Sequence, residues 1–563
     1  MVTIYDELSA ERKRLQREGQ IPEWMSTGGW QLFKDKYLYD AQGLKDTYVR
    51  IARTMARHTD APRRYEEKFF EVLWKGWLAA STPVLSNTGT IKGCPVSCSG
   101  QYIGDSISEF YNSRLDTAIL TKNGFGTSGY LGDIRPRGSV ISSGGKASGV
   151  LPVLKGFIQD MRDVAQGTSR RGAFAGYLPI THGDFDEVAD HLNHFPDDNN
   201  IGWTITDEFI DELKRGDEEA LRRYQKVMKI KAVTGKGYYV FVDKINRANP
   251  AFYEEKGYEV KASNLCTEIT LYSTEEETFT CVLSSMNISK YDEWKDTDAV
   301  YTSTIFLDCV ASEFIELARE KGGMEKAILF TEKNRALGLG ALGFNTYLQK
   351  KMIPMESFDA HMLNMEIFKH IKTEAVKASE MMAASWGEPE NMVGTNLRNS
   401  HLLSVAPNTS SALICGGVSQ GIEPVVANVY NQPTAGGEIY RVNPVFLDFA
   451  KARVGWTTEL AKDIMNNEGS VQHLTWMTDH EKMVFKTAYE IDQHTLVRLA
   501  SVRQQFICQA QSINLFFAAD AKEEVISDVH KAAFIDEGIK SLYYMRTKAG
   551  VKSSDGECVA CEG

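Results

Sequence analysis

The segment Ser263-Asn264-Leu265-Cys266-Thr267-Glu268-Ile269 carries an amide, a thiol and a carboxylate at alternate positions. Residues two apart on an extended strand share a face, so the spacing predicts a strand from which Asn264, Cys266 and Glu268 project together. A half-buried strand with a structural cysteine has the same pattern, but a carboxylate aimed to the same side as a thiol suits a reacting site better than a core. A second pair of thiols, Cys558-Val-Ala-Cys561, lies in a Gly-, Ser- and charge-rich stretch, 547–563, whose composition buries little and predicts a flexible tail. Thiols at this spacing close a disulfide and often have a lowered thiol pKa. Zinc is the rival reading, yet its only candidate partner pair, Cys94-x3-Cys98, is far upstream. A tethered dithiol can instead alternate between an internal disulfide and an external reductant.

Four further segments hold suitable groups. Asn123-Gly-Phe-Gly-Thr-Ser-Gly129 contains G-x-G-x-x-G; it leads into Arg135-Pro-Arg-Gly rather than a helix and an acidic residue, so a dinucleotide fold is a poor fit, though Gly-rich turns close to a nucleotide remain open. Gln166-Gly-Thr-Ser-Arg170-Arg171 reads equally as a phosphate or base-edge loop and as a solvated arginine pair. Ala406-Pro-Asn408-Thr409-Ser410-Ser411 forms an anion cradle if a helix begins there, and otherwise an ordinary capping turn. Tyr543-Tyr544 reads as two aromatics of a buried strand, pointing to opposite faces, unless stacking near a thiol makes them a radical relay.

Around these segments the chain alternates element types. Residues 1–80 read as helical, with large apolar residues at three-to-four spacing from Arg64 to Ala80 and a breaker at Ser81-Thr82-Pro83. Gly- and Ser-rich loops extend from there to about Gly176, a density typical of binding surfaces. Amphipathic stretches at Asp207–Lys229 and Thr302–Lys321 mix with β-branched runs at Gly237–Val242 and Thr278–Leu283, which suggests βα units and a sheet sheltered by helices. An apolar-periodic stretch covers His480–Ala518, and a helix continues the chain to about Lys540.

The chain has 563 residues, 43% of them hydrophobic and 25% charged, which suits a folded globular protein and excludes disordered, collagenous and coiled-coil chains. Its formal charge of −12 disfavours generic attraction to nucleic acid or anionic membrane, so any phosphate must be held locally. The N-terminus lacks the apolar core of a secretory signal, and the least charged stretch, Leu402–Gly437, is too rich in Gly, Ser, Asn and Pro to span a bilayer. Nine cysteines, odd in number and thinly spread, argue against a disulfide framework and for a reducing cytoplasm in which some thiols react.

Together these segments resemble the catalytic large subunit of a class I ribonucleotide reductase. STPVLSNTG, SCSGQYIGDS around Cys98, QGTSRRG, SNLCTEI, CVLSSMN around Cys281, APNTSS followed by GIEP, SLYYMR and the terminal CxxC occur in the family's order from Ser81 to Cys561. The resemblance implies a helical region over 1–80, a ten-stranded α/β barrel over 81–546 with Cys266 on a loop or short strand inside it, and a redox-active tail over 547–563. It implies reduction of ribonucleoside diphosphates to deoxyribonucleoside diphosphates. Cys266 would be a transient thiyl radical taking the 3′-hydrogen, with Asn264 beside it and Glu268 as base on the 3′-hydroxyl. Cys98 and Cys281 would reduce the 2′ carbon and end as a disulfide. Cys558 and Cys561 would re-reduce it and be renewed by a thioredoxin or glutaredoxin. Tyr543 and Tyr544 would bring the radical from a metal-containing small subunit, so no metal is expected in this chain. Thr82, Ser97, Asn408, Thr409, Ser410 and Ser411 would hold the substrate. Asp105 with Gly144 and Gly145 would bind a dNTP or ATP effector at a homodimer interface, and Gln166, Arg170 and Arg171 would report its identity to the substrate base.

Two departures stand out. Asn408 occupies a position that is acidic in some relatives, and the chain begins about where an N-terminal ATP-binding domain would end in many members, so control of total activity by ATP and dATP is not expected. Adenosylcobalamin-dependent members share the barrel, the three active-site cysteines and often the tail dithiol; Tyr543-Tyr544 favours class I.

Overall fold

The computed structural model describes residues 4–40, 42–164, 172–198, 200–434 and 437–548. Four helices, Ile4–Arg17, Thr27–Lys36, Leu44–Ala56 and Pro62–Trp74, precede the barrel. Ser26 caps the second by accepting the Gly29 N–H at 3.0 Å, and Leu44, Tyr48, Ile51, Ala52 and Met55 give the third its buried stripe. The helical periodicity expected through Ala80 stops earlier. At Gly76 the chain turns with φ +66°, where a Cβ would meet the Trp24 ring at 2.8 Å, and Leu78–Ala80 pairs as a strand with Ser284–Met286. Ser81-Thr82-Pro83 opens a short helix, Thr82–Asn87, because proline fits the first turn, where its missing N–H costs nothing.

Five parallel strands form one half of the barrel: Cys98–Tyr102, Gly126–Tyr130, Phe174–Pro179, Asn200–Ile205 and Tyr238–Phe241. Helices connect them, among them Ile107–Lys122, Val150–Asp163 and Phe185–His194, as parallel neighbours require. The last connection is expected as one helix but divides at Gly216, φ +78°, into Asp207–Arg215 and Glu218–Thr234. The other half runs from Phe279–Asn287 to the parallel Leu337–Leu342, then through parallel bridges at Leu403 and from Val405 to Gln511, to Leu515–Phe517 and its parallel partner Met545–Thr547. Antiparallel seams join the halves: Cys98–Gly100 against Phe279–Cys281, and Ser541–Leu542 against Tyr239–Val240. The ten staves close on themselves and leave no free edge.

The G-x-G-x-x-G segment runs from a turn at Gly124, φ +102°, into the second stave. Its small residues serve packing, since a Cβ on Gly129 would lie 2.6 Å from Ile103 Cδ1. His480–Ala518 breaks into helices Asp479–Val484 and Gln493–Gln504 and the strand Leu515–Phe517. Among the described residues no helix is long and apolar enough to cross a membrane.

Candidate active site

Between the two half-barrels the chain sends a loop into the centre, where Leu265 and Cys266 pack with Tyr177, Tyr238, Cys98 and Cys281. The loop replaces the strand expected for Asn264–Ile269. Thr267 N–H donates back to the Asn264 carbonyl at 3.4 Å, and Thr267 takes φ +69°, a costly conformation for a β-branched residue. Neighbouring groups hold it there. Asn264 Oδ1 accepts the Ile269 N–H at 3.2 Å, Ser263 Oγ donates to the Ile269 carbonyl at 2.6 Å, and Ser404 Oγ and Ala510 N–H both donate to the Glu268 carbonyl at 2.9 Å. The polar side chains that alternation assigned to one strand face instead bond the loop's own backbone or its neighbours.

Cys98, Cys266 and Glu268 border one cavity with Ser97, Asn408 and Ser411. Asn264 lies behind it and donates from Nδ2 to Cys98 Sγ at 3.3 Å. Glu268 is buried, and burial pushes its carboxyl up to about 7 even though its own backbone N–H, Asn264 and Ser512 favour the anion. Ser512 Oγ donates to the Cys266 carbonyl and reaches Glu268 Oε2 at 3.1 Å, tying the two groups together.

Cys98 and Cys281, 183 residues apart in sequence, face each other directly on neighbouring antiparallel staves. Directly opposite residues in an antiparallel pair have Cα atoms about 4.5–5.5 Å apart, within the span of a disulfide. Burial, with Cys98, Glu268 and Cys508 nearby, raises the Cys281 thiol well above its ordinary range.

Tyr543 and Tyr544 lie between the strands Ser541–Leu542 and Met545–Thr547, where Tyr543 N–H donates to the Ile513 carbonyl at 2.8 Å and the Tyr544 carbonyl accepts from Leu515 N–H at 3.1 Å. Their rings do not take opposite faces, as adjacent residues of a regular strand would: the centroids are 4.1 Å apart and the planes tilt by 51°. Tyr543 Oη is 3.5 Å from Cys266 Sγ. Tyr238, which the sequence reading did not single out, completes a cluster of three: its ring centroid is 4.7 Å from that of Tyr543, and its hydroxyl is 3.0 Å from the Tyr544 hydroxyl. Beneath them the buried Lys231 donates to the Tyr543 carbonyl, and burial lowers its ammonium to about 7.

The expected substrate residues divide. Ser97, Asn408 and Ser411 border the cavity, as do Ser81, Ser284 and Ser285, which the sequence reading missed. Asn408 takes φ +61° before the six-residue helix Thr409–Ile414 and accepts from Ser285 Oγ at 3.0 Å. Ser410 is buried in that helix, Thr409 Oγ1 donates to Gln420 Oε1 at 3.2 Å, and Thr82 Oγ1 is 2.9 Å from the Tyr37 hydroxyl; none of these three borders the cavity. Asp105 pairs with Arg135, at the start of the segment carrying the exposed Gly144 and Gly145. Gln166, Arg170, Arg171, Cys558 and Cys561 lie outside the described residues.

Ser512 and Gln509 were also missed, although Gln509, Gln511 and Ser512 are an unusual polar run between Ile507 and Phe517. Gln509 Nε2 donates to Cys281 Sγ at 3.3 Å.

A closed ten-stranded barrel with thiols around a central loop defines an α/β-barrel oxidoreductase. Residues 96–223, 219–397 and 385–545 match the ribonucleotide reductase barrel domain, and 24–93 match the ribonucleotide reductase all-alpha domain. The chain belongs to the ribonucleotide reductase family, and it reduces ribonucleoside diphosphates to their 2′-deoxy forms. It is 35% identical over 531 residues to a Frog virus 3 (isolate Goorha) chain provisionally named as a ribonucleoside-diphosphate reductase large subunit, covering 88% of this chain and 92% of that one. It is 30% identical over 522 residues to a vitamin B12-dependent ribonucleoside-diphosphate reductase of Thermoplasma acidophilum, covering 86% of this chain and 65% of that one. The class Id ribonucleotide reductase alpha subunit of Actinobacillus ureae superposes with TM-score 0.87 at 36% identity, covering 94% of this chain and 98% of that one.

Proposed function

We propose that this chain is the catalytic subunit of a class I enzyme in which Cys266 acts as a thiyl radical generated through Tyr544 and Tyr543. The observation that carries the reading is the Tyr543 hydroxyl 3.5 Å from Cys266 Sγ, at a cavity that Glu268 and Cys98 also border. A separate metal-containing small subunit supplies the oxidising equivalent. Tyr543, having lost a hydrogen atom to oxidised Tyr544, takes one from the Cys266 S–H; the Cys266 thiyl then takes the 3′-hydrogen of the ribose. Glu268, whose carboxyl titrates near 7, accepts the 3′-hydroxyl proton, as a general base working near neutral pH should. One thiol proton leaves with the 2′-hydroxyl as water and the hydrogen of the other thiol goes to C2′, while Cys98 and Cys281 supply two electrons and join as a disulfide; Glu268 returns its proton to the 3′-oxygen, Cys266 returns its hydrogen to C3′, and the regenerated Cys266 thiyl is quenched back through Tyr543.

Ser97, Asn408 and Ser411 hold the substrate at the cavity, with Thr82, Thr409 and Ser410 shaping the wall behind. Cys558 and Cys561 renew the disulfide at the expense of thioredoxin or glutaredoxin, a cycle that fits a reducing compartment such as the cytoplasm. A dNTP or ATP effector binds near Asp105, Gly144 and Gly145 in a homodimer and acts through Gln166, Arg170 and Arg171. The functional units are the helical region 1–80, the barrel 81–546 and the tail 547–563.

The similarity to a B12-dependent reductase favours one alternative, activity with adenosylcobalamin and no second subunit. The test is CDP reduction with dithiothreitol, with a small subunit or with adenosylcobalamin added. Turnover that needs the small subunit supports the class I reading; turnover with adenosylcobalamin alone overturns it.

A further inference from the structure

The two cysteines of the redox pair are not equivalent. Cys98 borders the cavity, whereas Cys281 is fully buried and is not among the residues that border it. Each sulfur receives an amide N–H at 3.3 Å, Cys98 from Asn264 and Cys281 from Gln509. The Gln509 amide is also fixed in orientation. Its Oε1 accepts the Thr270 N–H at 3.1 Å, a contact only the oxygen can make, and one Nε2 proton goes to the Leu337 carbonyl at 2.9 Å. The second proton is left for Cys281. The backbone is anchored too: Gln509 N–H donates to the Leu403 carbonyl at 3.1 Å, and its carbonyl accepts from Gln504 Nε2 at 2.7 Å and Lys540 Nζ at 2.9 Å.

We infer that the Cys98–Cys281 disulfide is reduced by attack at Cys98 and that Gln509 stabilises the Cys281 thiolate leaving on the buried side. The inference rests on the pairing of Cys98 with Cys281 proposed above. The entering thiolate of a dithiol bonds to Cys98 Sγ as the Cys98–Cys281 bond breaks, and the electron pair of that bond departs on Cys281 Sγ. The second thiol of the reductant, deprotonated by solvent, then displaces Cys98. The dithiol ends as its own disulfide, and both cysteines end as thiols after taking up two protons. Exchange is faster when the leaving sulfur bears charge more easily, and a fixed donor aimed at a buried developing anion is worth more than the same donor in water. Burial raises the Cys281 thiol, while the Gln509 hydrogen bond opposes that rise.

The experiment uses the full chain carrying Cys558→Ser and Cys561→Ser, so that the reductant acts directly on the barrel pair. The disulfide is formed by diamide, and its reduction by dithiothreitol is followed by quenched alkylation and peptide mapping. Gln509→Glu keeps an oxygen for Thr270 but places a carboxylate at the leaving sulfur. Reduction at pH 8 is expected to slow by about tenfold or more, and the deficit against the parent is expected to shrink as falling pH protonates the new acid into a donor. Cys98, Glu268 and Cys508 around Cys281, and Lys540 against the Gln509 carbonyl, titrate in parent and variants alike, and the uncharged Gln509→Met shows the pH dependence they carry without a new acid. Gln509→Met, with neither donor nor charge, covers a carboxylate that the core rejects; it is expected to slow reduction severalfold at every pH. With a monothiol in place of dithiothreitol, the trapped adduct is expected on Cys98 with Cys281 free. Parental rates in both variants, a pH-independent deficit in Gln509→Glu, or an adduct on Cys281 overturns the inference while leaving the pair intact. Failure to form any Cys98–Cys281 disulfide overturns the pairing and the inference together.

Discussion

Replacing Glu268 by Gln tests the proposed base through two readouts that share one cause. Burial raises this carboxyl from 4.5 to about 7, and 2.5 pH units correspond to about 3 kcal/mol, an upper figure for what ionising it in place costs the fold. The folded protein holds the proton more tightly than the unfolded chain, so the group's stabilising contribution is complete below 4.5 and is lost as pH rises through about 7. Glu268→Gln removes that loss. Its denaturation midpoint relative to the parent is expected to improve between pH 5 and pH 8. Activity should move in the opposite sense. If the anion is the base, CDP reduction by the parent rises about tenfold between pH 6 and pH 8, whereas the Gln variant loses roughly 10²–10⁴-fold and lacks that limb. Initial rates of dCDP formation with saturating small subunit, over pH 5.5–8.5, decide the matter. A Gln variant that keeps the parental limb, or more than a tenth of parental activity, refutes the assignment.

Tyr543→Phe and Tyr544→Phe each remove one hydroxyl from a buried cluster, so folding and nucleotide binding should be nearly unchanged while small-subunit-dependent turnover disappears; undiminished turnover in both refutes the relay. Cys558→Ser with Cys561→Ser should abolish turnover driven by thioredoxin yet permit turnover with dithiothreitol, and equal loss with both reductants would argue for a structural tail. Asp308 is a stability test away from the cavity. It is buried between Arg335, which bonds both its oxygens at 2.8 Å, and Arg398 at 3.0 Å, and despite burial these guanidinium groups hold its carboxyl down at about 2. That stabilisation is present above 3.8 and lost only as pH falls toward 2. Asp308→Asn leaves both arginines without their counter-charge and should cost about 3–5 kcal/mol at pH 7; a loss under about 1 kcal/mol in chemical denaturation would contradict this.

Much of the barrel and of the candidate site was legible because particular residues announce themselves locally. The β-branched runs at Gly237–Val242 and Thr278–Leu283 fall on staves, and an amide, a thiol and a carboxylate within five residues mark the central loop. The loop, one of two forms that the resemblance allowed for Cys266, was not legible in the residues themselves. Alternation at Asn264, Cys266 and Glu268 satisfies a strand template, yet among the described residues that backbone joins no strand ladder; single bonds from Ser404, Ala510 and Ser512, about 140 residues or more downstream, hold it instead. Gln509 and Tyr238 escaped for the same reason. A glutamine in an apolar stretch and a tyrosine in a stave look ordinary until tertiary contacts bring Cys281 and Tyr544 to them. Local propensity overran its range at Arg64–Ala80, where the Gly76 turn and the pairing of Leu78–Ala80 with Ser284–Met286 override helical periodicity.

The central claim is that Cys266 initiates a reduction whose electrons come from Cys98 and Cys281. The most direct test is a turnover with CDP and small subunit but no reductant, with deoxycytidine product and the Cys98–Cys281 peptide linkage quantified from the same sample. A chain carrying Cys558→Ser and Cys561→Ser, in which the tail cannot re-reduce the pair, should form one linkage for each dCDP made, and the same chain with Cys266→Ser should form neither product nor linkage while still binding nucleotide. Product from the Cys266→Ser chain, or product from the tail variant with both barrel cysteines still reduced, would contradict the account.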